Sequence, residues 1–317
     1  MSKTIFLTGA TGYIGRVITE YALKEGYAVR ALSRSVAGDD FITSLGAVPV
    51  RGTLETFDVL SVEARNADIV LHLAFVHDFT KPLKELIPID IKAVDAMAGA
   101  LAGTNKALVV TSGTGFVQAD PEGRETDEES PVAPDGHFTA RVEAEKKALA
   151  WAEKGVRVSV IRLPQYVYGR GDRAWFAARW IKVAVENGVA GYLGDGEHRF
   201  SEVHVDDAAK LYLLAAERAD AGEVFNGVAG TETSYRQLAE VIGEVAGVPV
   251  REFGREEVMG KWGPFLVAFA SEANRASGAK ARGKLGWVVE RPSLLGEIRE
   301  GSYRELAEVF RKESLGV

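Results

Sequence analysis

Seven residues near the start of the chain carry the clearest chemical signal. Gly9-Ala10-Thr11-Gly12-Tyr13-Ile14-Gly15 follows the apolar run Thr4-Ile5-Phe6-Leu7-Thr8 directly and leads into an amphipathic stretch from Arg16 to Glu25. A parallel strand, a glycine turn and a helix that begins inside the turn make an anion site. The glycines let backbone N–H groups approach a pyrophosphate, and the helix N-terminus adds partial positive charge. Glycine spacing alone is weak evidence, but its place between a strand and a helix makes it strong. The competing reading is a tight strand-to-helix turn with no ligand.

The second chemical position is Ser33-Arg34-Ser35, at the end of an expected strand from Tyr27 to Leu32. In a dinucleotide-binding fold this point lies beside the adenosine ribose, where a carboxylate accepts from the 2′-OH and an arginine pairs with a 2′-phosphate. Arg34 has hydroxyls on both sides and no carboxylate before Asp39, which favours NADP(H) over NAD(H). A solvated surface arginine is the alternative. Of the five histidines, His72 reads as strand core and His204 as support for the loop before its helix. His77, beside Asp78, reads as a border of the substrate cleft. The spacing of histidines and acids suggests no metal site. The chain has no cysteine, which excludes disulfides and thiol nucleophiles.

The elements that position these residues follow from the rest of the pattern. Val48-Pro49-Val50, Ala67 to Ala74, Ala107 to Val110 and Arg157 to Leu163 read as further strands. Helices over Lys84–Leu101 and Thr139–Glu153 and an acidic loop from Gln118 to Gly136 lie between them. Alternating strands and helices imply an α/β, Rossmann-like doubly wound parallel sheet. From Pro164 the pattern loosens into a loop, helices over Trp175–Glu186, Val205–Arg218 and Tyr235–Ala246, and a last helix near Leu294–Phe310. Residues 1–163, with 203–228, are expected to form the NADP-binding domain. Residues 164–202 and 229–317 are expected to form a smaller, mainly helical substrate lobe over the C-terminal edge of the sheet, where ligands bind. A net charge of −7 with 46% hydrophobic and 26% charged residues is the balance of a soluble protein and argues against nucleic-acid or membrane partners. With no apolar run of spanning length and no signal-like N-terminus, a cytoplasmic location is expected.

Six landmarks in this order resemble one family: Thr8 to Gly15, His72-Leu73-Ala74, Thr111-Ser112, Val167-Tyr168-Gly169, Val203 to Ala209, and Leu285-Gly286-Trp287. Together they are similar to the extended short-chain dehydrogenase/reductase family, also called the NAD-dependent epimerase/dehydratase family. The resemblance implies that Gly9, Thr11, Gly12, Tyr13, Ile14 and Gly15 line the pyrophosphate turn. It also implies that Ser33, Arg34 and Ser35 clamp the 2′-phosphate, and that Leu73, Ala74 and Phe75 follow the adenine side and ribose. Thr111 belongs to the cofactor side of the site, Ser112 hydrogen-bonds the reacting carbonyl or hydroxyl, and Leu163 and Pro164 approach the nicotinamide. A homodimer is common in the family.

The catalytic pair departs from the family pattern of Tyr-x-x-x-Lys. Placing Glu145 at the acid common in that helix puts Arg141 at the lysine position and His137 at the tyrosine position, so the chain resembles an atypical branch. Arg141 can hydrogen-bond a ribose hydroxyl but cannot relay a proton. Hydride transfer to a carbonyl needs a proton donor for the developing alkoxide. His137 is one candidate, and Tyr166 or Tyr168 the other. The expected function is an NADP(H)-dependent oxidoreductase acting on a small organic carbonyl or related unsaturated substrate. Aromatics such as Trp175, Phe176, Tyr192 and Phe200 are candidates to line its pocket. The alternatives are an NADP-binding sensor without turnover and an epimerase- or lyase-type activity.

Overall fold

A computed structural model describes residues 2–76, 82–133, 140–173 and 176–315. Its strands are β1 (Thr4–Thr8), β2 (Ala28–Ser33), β3 (Val48–Arg51), β4 (Ile69–His72), β5 (Ala107–Gly113), β6 (Arg157–Leu163), β7 (Tyr166–Tyr168), β8 (Ala190–Leu193), β9 (Glu202–His204), β10 (Glu223–Asn226) and β11 (Val250–Phe253). Its helices are α1 (Tyr13–Lys24), α2 (Val36–Ser44), α3 (Phe57–Asn66), α4 (Leu83–Leu101), α5 (Ala140–Leu149), α6 (Phe176–Asn187), α7 (Val205–Arg218), α8 (Tyr235–Ala246), α9 (Arg255–Ala270), α10 (Ala279–Leu285), α11 (Leu294–Glu300) and α12 (Ser302–Leu315).

Seven strands form one parallel sheet in the order β10-β6-β5-β4-β1-β2-β3. The strand order reverses between β1 and β4, which opens a crevice at their C-terminal ends. Strand alternation divides the core into two layers. Ile5 and Leu7 of β1 face the cluster built on α1 and α7, and Phe6 faces the one built on α3 and α4. Helices therefore cover both faces, as the near-continuous apolar strands require.

The C-terminal lobe has its own core, in which Trp180 meets Trp262 edge to face at 4.8 Å. The loop expected after β6 contains a strand instead. β7 pairs in parallel with β9, Tyr166 opposite Glu202 and Tyr168 opposite His204. The single last helix is two, α11 and α12, broken at Gly301. There the Glu297 carboxylate turns back to accept from Ser302 N at 3.1 Å. Among the described residues, no helix is long and apolar enough to cross a membrane.

Candidate functional site

The glycine turn is built by close backbone approach. A Cβ on Gly15 would lie 2.7 Å from the carbonyl carbon of Gly9, so the first turn of α1 folds directly onto the end of β1. Gly9 has φ +87°, and a Cβ there would meet the Ala74 nitrogen at 2.9 Å, where the chain leaves β4. Gly12 is the N-cap of α1. No side chain caps this helix and no acid lies in its first turn, so its positive end is left for an anion. This cradle fits a dinucleotide pyrophosphate.

One cleft of 690 Å³ runs from this turn along the strand ends. All six residues named from the turn line it, as do Arg34, Leu73, Ala74, Phe75, Thr111, Ser112, Arg141, Leu163 and Pro164. Ser33 and Ser35 are engaged in the β2–α2 turn instead. The Ser33 hydroxyl donates to Ser35 O at 3.1 Å, and the Ser35 hydroxyl caps α2 by accepting from Gly38 N at 3.1 Å. Arg34 remains as the exposed cation at the cleft. Asp39, the first acid after Arg34 in the sequence, is paired with Arg51 at the end of β3.

At the other end, Ser112 closes β5 with a buried hydroxyl that has no hydrogen-bond partner among the described residues. Thr111, one residue earlier, donates to His72 O at 2.9 Å and pairs with the buried Tyr212 hydroxyl at 2.8 Å. Arg141 projects from the first turn of α5, its guanidinium 4.1 Å from the centre of the Phe75 ring. Burial lowers its pKa from the usual arginine value, while Asp90 and Tyr212 act in the opposite direction. One turn further along, Glu145 grips Arg162 of β6 through both carboxylate oxygens at 2.6–3.2 Å, and Arg162 also donates to Glu128 O at 3.0 Å. This buried pair fixes the register of α5 against the sheet and therefore the placement of Arg141.

A family model for the NAD dependent epimerase/dehydratase family matches residues 5–227. The chain belongs to this family. It is similar to an uncharacterized protein of Schizosaccharomyces pombe, 34% identical over 94% of this chain and 99% of that one. It also resembles a 4-hydroxy-2-methyl-3-oxo-4-farnesyl-3,4-dihydroquinoline-1-oxide ketoreductase of Stigmatella aurantiaca, 28% identical over 77% of this chain and 73% of the other. A UDP-glucuronic acid 4-epimerase of Bacillus cereus, solved with UDP-glucuronic acid and NAD, shares the fold with a TM-score of 0.77. The two are 18% identical, over 96% of this chain and 99% of that one.

In this epimerase/dehydratase family member several landmarks serve the frame rather than the chemistry. Gly169 packs on the His204 ring, its nitrogen donates to the Tyr303 hydroxyl at 3.1 Å, and its carbonyl accepts from the Tyr13 hydroxyl at 2.7 Å. His204 caps α7 by accepting from Asp206 N at 3.1 Å, the supporting role expected of it. Asp207 accepts from Arg291 N at 3.0 Å, and Trp287 donates to Asp207 O at 2.8 Å. The lobe is thus tied to the glycine turn.

Tyr166 requires a correction. It is fully buried in the lobe core, 4.2 Å ring to ring from Phe200, and its hydroxyl accepts from Trp180 Nε1 at 2.8 Å. It does not line the cleft, so it is not placed to hand a proton to a substrate there. Tyr168 is likewise turned away, donating to Pro292 O at 2.7 Å. His137, His77, Asp78 and Trp175 lie outside the described residues. Phe176 lines the cleft, whereas Phe200 is lobe core and Tyr192 borders a separate small hollow. Among the described residues, no cluster of three His, Asp or Glu could hold a metal.

The cleft also contains groups that the motifs did not announce, Gly52 to Glu55 after β3, Gln165 and Asp90, and it reaches His72, which was expected to be strand core. His72 bridges Thr8 Oγ1 at 2.8 Å and Asp90 at 3.1 Å. A signal for Asp90 was present. It sits among Leu86, Ile87, Ala93, Val94 and Met97 on the buried stripe of α4, where an acid is rare unless it is paired or used.

Proposed function

We propose that this protein is an NADP(H)-dependent reductase of a small organic carbonyl or related unsaturated compound. The observation that carries the reading is the buried, partnerless Ser112 hydroxyl in the same cleft as the uncapped glycine turn. A buried donor without a partner costs about 1–3 kcal/mol, and a substrate oxygen would relieve it. The glycine turn and the N-terminus of α1 would hold the pyrophosphate. Arg34, with Asp39 already neutralised by Arg51, would take the 2′-phosphate. When bound, the cofactor supplies the hydride. Ser112 would orient the substrate oxygen, and the buried Gln165 Oε1, also without a partner among the described residues, would accept from a second polar group.

A nucleotide-sugar epimerase reading has less support, because a second diphosphate needs free cations in the lobe. Arg170 is committed to Asp206 and Glu20, and Arg173 to Glu313. Fluorescence titration with NADPH and NADH, followed by NADPH consumption against aldehydes, ketones, enones and imines, tests the proposal. Tighter NADPH binding and turnover of one class are expected. NADPH binding with no turnover of any class would favour a sensor, and tighter NADH binding would overturn the role of Arg34.

A further inference from the structure

We propose that Arg141 and Ser112 form an oxyanion-holding pair, so that the substrate oxygen is stabilised by a fixed cation and is not protonated by a side chain during reduction. The proposal rests on the reductase reading and explains how the site works without the family's tyrosine.

Three observations meet in the cleft. First, Arg141 forms no hydrogen bond or ion pair with any described residue, although it is largely desolvated. Phe75 covers one face of its guanidinium, which leaves the N–H groups along its edge for an acceptor. Second, the charges facing it are arranged to keep it unpaired. Asp90 on α4 acts on it through space, while the Asp90 carboxylate is held at 3.1 Å by His72 Nε2 of β4. Thr8 Oγ1 accepts from Ala74 N and contacts His72 Nδ1, an arrangement satisfied when Thr8 donates to Nδ1 and neutral His72 donates from Nε2 to Asp90. On α7, Tyr212 is spent on Thr111. Third, the Ser112 hydroxyl is buried and partnerless in the same cleft.

The step balances simply. Hydride adds to the carbonyl carbon, the C=O π pair moves to oxygen, and the alkoxide accepts from Arg141 N–H and Ser112 O–H. Arg141 keeps its proton, and water from the cleft mouth then protonates the oxygen. A preorganised donor of this kind is worth about 10²–10³ in rate.

Benzoate, a planar anion of the right size for an aromatic-walled cleft, serves as the probe. Calorimetric titration of cofactor-free protein should show benzoate binding. Arg141→Met should weaken it about 10–100-fold, Ser112→Ala should weaken it less, and Asp90→Asn should tighten it by removing a facing negative charge. NADPH affinity of Arg141→Met should change by less than about threefold, well inside the effect of one charge-assisted bond. Arg141→Lys, which keeps the cation without the fork, should lie between wild type and Arg141→Met and covers the case in which the methionine variant fails to fold. Absent benzoate binding, unchanged binding in both Arg141 variants, or a tenfold loss of NADPH affinity alone would overturn the proposal. So would a reduction rate that follows a group with a pKa near 6.5 and loses that dependence in His137→Phe. Benzoate binding through Arg141 without reduction of any carbonyl would instead leave the anion site standing and remove the reductase reading.

Discussion

Replacing Gly169 with alanine tests the link between two landmarks 35 positions apart in the sequence. Gly169 has φ +112°, and a Cβ there would fall inside the His204 imidazole, 2.6 Å from Cε1 and closer still to Nε2. The ring cannot retreat, because it is 4% exposed and its Nδ1 caps α7. Backbone strain at such a φ costs about 1–3 kcal/mol, and overpacking a filled site adds about 1–3 kcal/mol. The expected loss is therefore about 2–6 kcal/mol. At about 2.1 cal/mol/K per residue, each kcal/mol lowers the Tm of a chain this long by about 1.5 °C, which gives a drop of about 3–9 °C. The decisive assay is a double-mutant cycle with His204→Ala, read by urea denaturation. His204→Ala alone should cost about 1 kcal/mol for the cap plus a packing loss. In that background Gly169→Ala should cost only its backbone strain, a coupling of about 1–3 kcal/mol. Costs that add within about 0.5 kcal/mol would show that the ring is not what demands glycine.

Three further outcomes follow from single contacts. Arg34→Glu should weaken NADPH binding about 10–100-fold, the worth of charge-assisted hydrogen bonds, and leave NADH nearly unchanged; equal losses for both would remove Arg34 from the 2′-phosphate. Glu145→Ala leaves Arg162 buried without its carboxylate and should cost about 3–5 kcal/mol in urea denaturation, whereas Glu145→Leu with Arg162→Met should recover most of that loss. Burial holds the His204 pKa below the usual histidine value, against the pull of Asp206. The unfolded chain therefore takes up a proton below about pH 6.5 that the native state does not. Stability should fall as pH drops through that point toward the lower native pKa. His204→Asn, which keeps a cap acceptor, should lose this component when denaturation at pH 7 and about pH 5.5 is compared; an identical loss in both proteins would refute it.

The parts of the fold that were legible in the sequence are those with local causes. The alternation of apolar strands with amphipathic helices specified the parallel sheet, because a strand covered on both faces has no polar side to display. The glycine turn was legible because Gly15 must touch Gly9 within one short segment. The three-residue strands β7 and β9 were not, since each is stabilised only by a partner far away in the chain. The break at Gly301 was hidden for a similar reason: the Glu297 carboxylate reaches Ser302, and no periodicity signals that bend.

The site separates along the same line. A search by residue type looks for side chains that can carry a proton, and it selected Tyr166 because an aromatic hydroxyl follows the strand expected to approach the nicotinamide. Its burial against Phe200 and Trp180 is a property of the lobe core, built from segments distant in the sequence. The same search placed Arg141 at the lysine position and gave it a ribose hydroxyl to bind, since it cannot relay a proton. What distinguishes Arg141 is the lack of a bonded partner among the described residues, together with the hold of His72 on the carboxylate that faces it. Neither fact belongs to α5 alone. The sequence context of Asp90 already pointed inward, because an acid on the apolar stripe of α4 must be answered by something across the core. That answer is His72, one residue before the Leu73–Phe75 edge of the cleft, and it reaches the strand that leads into the glycine turn through Thr8.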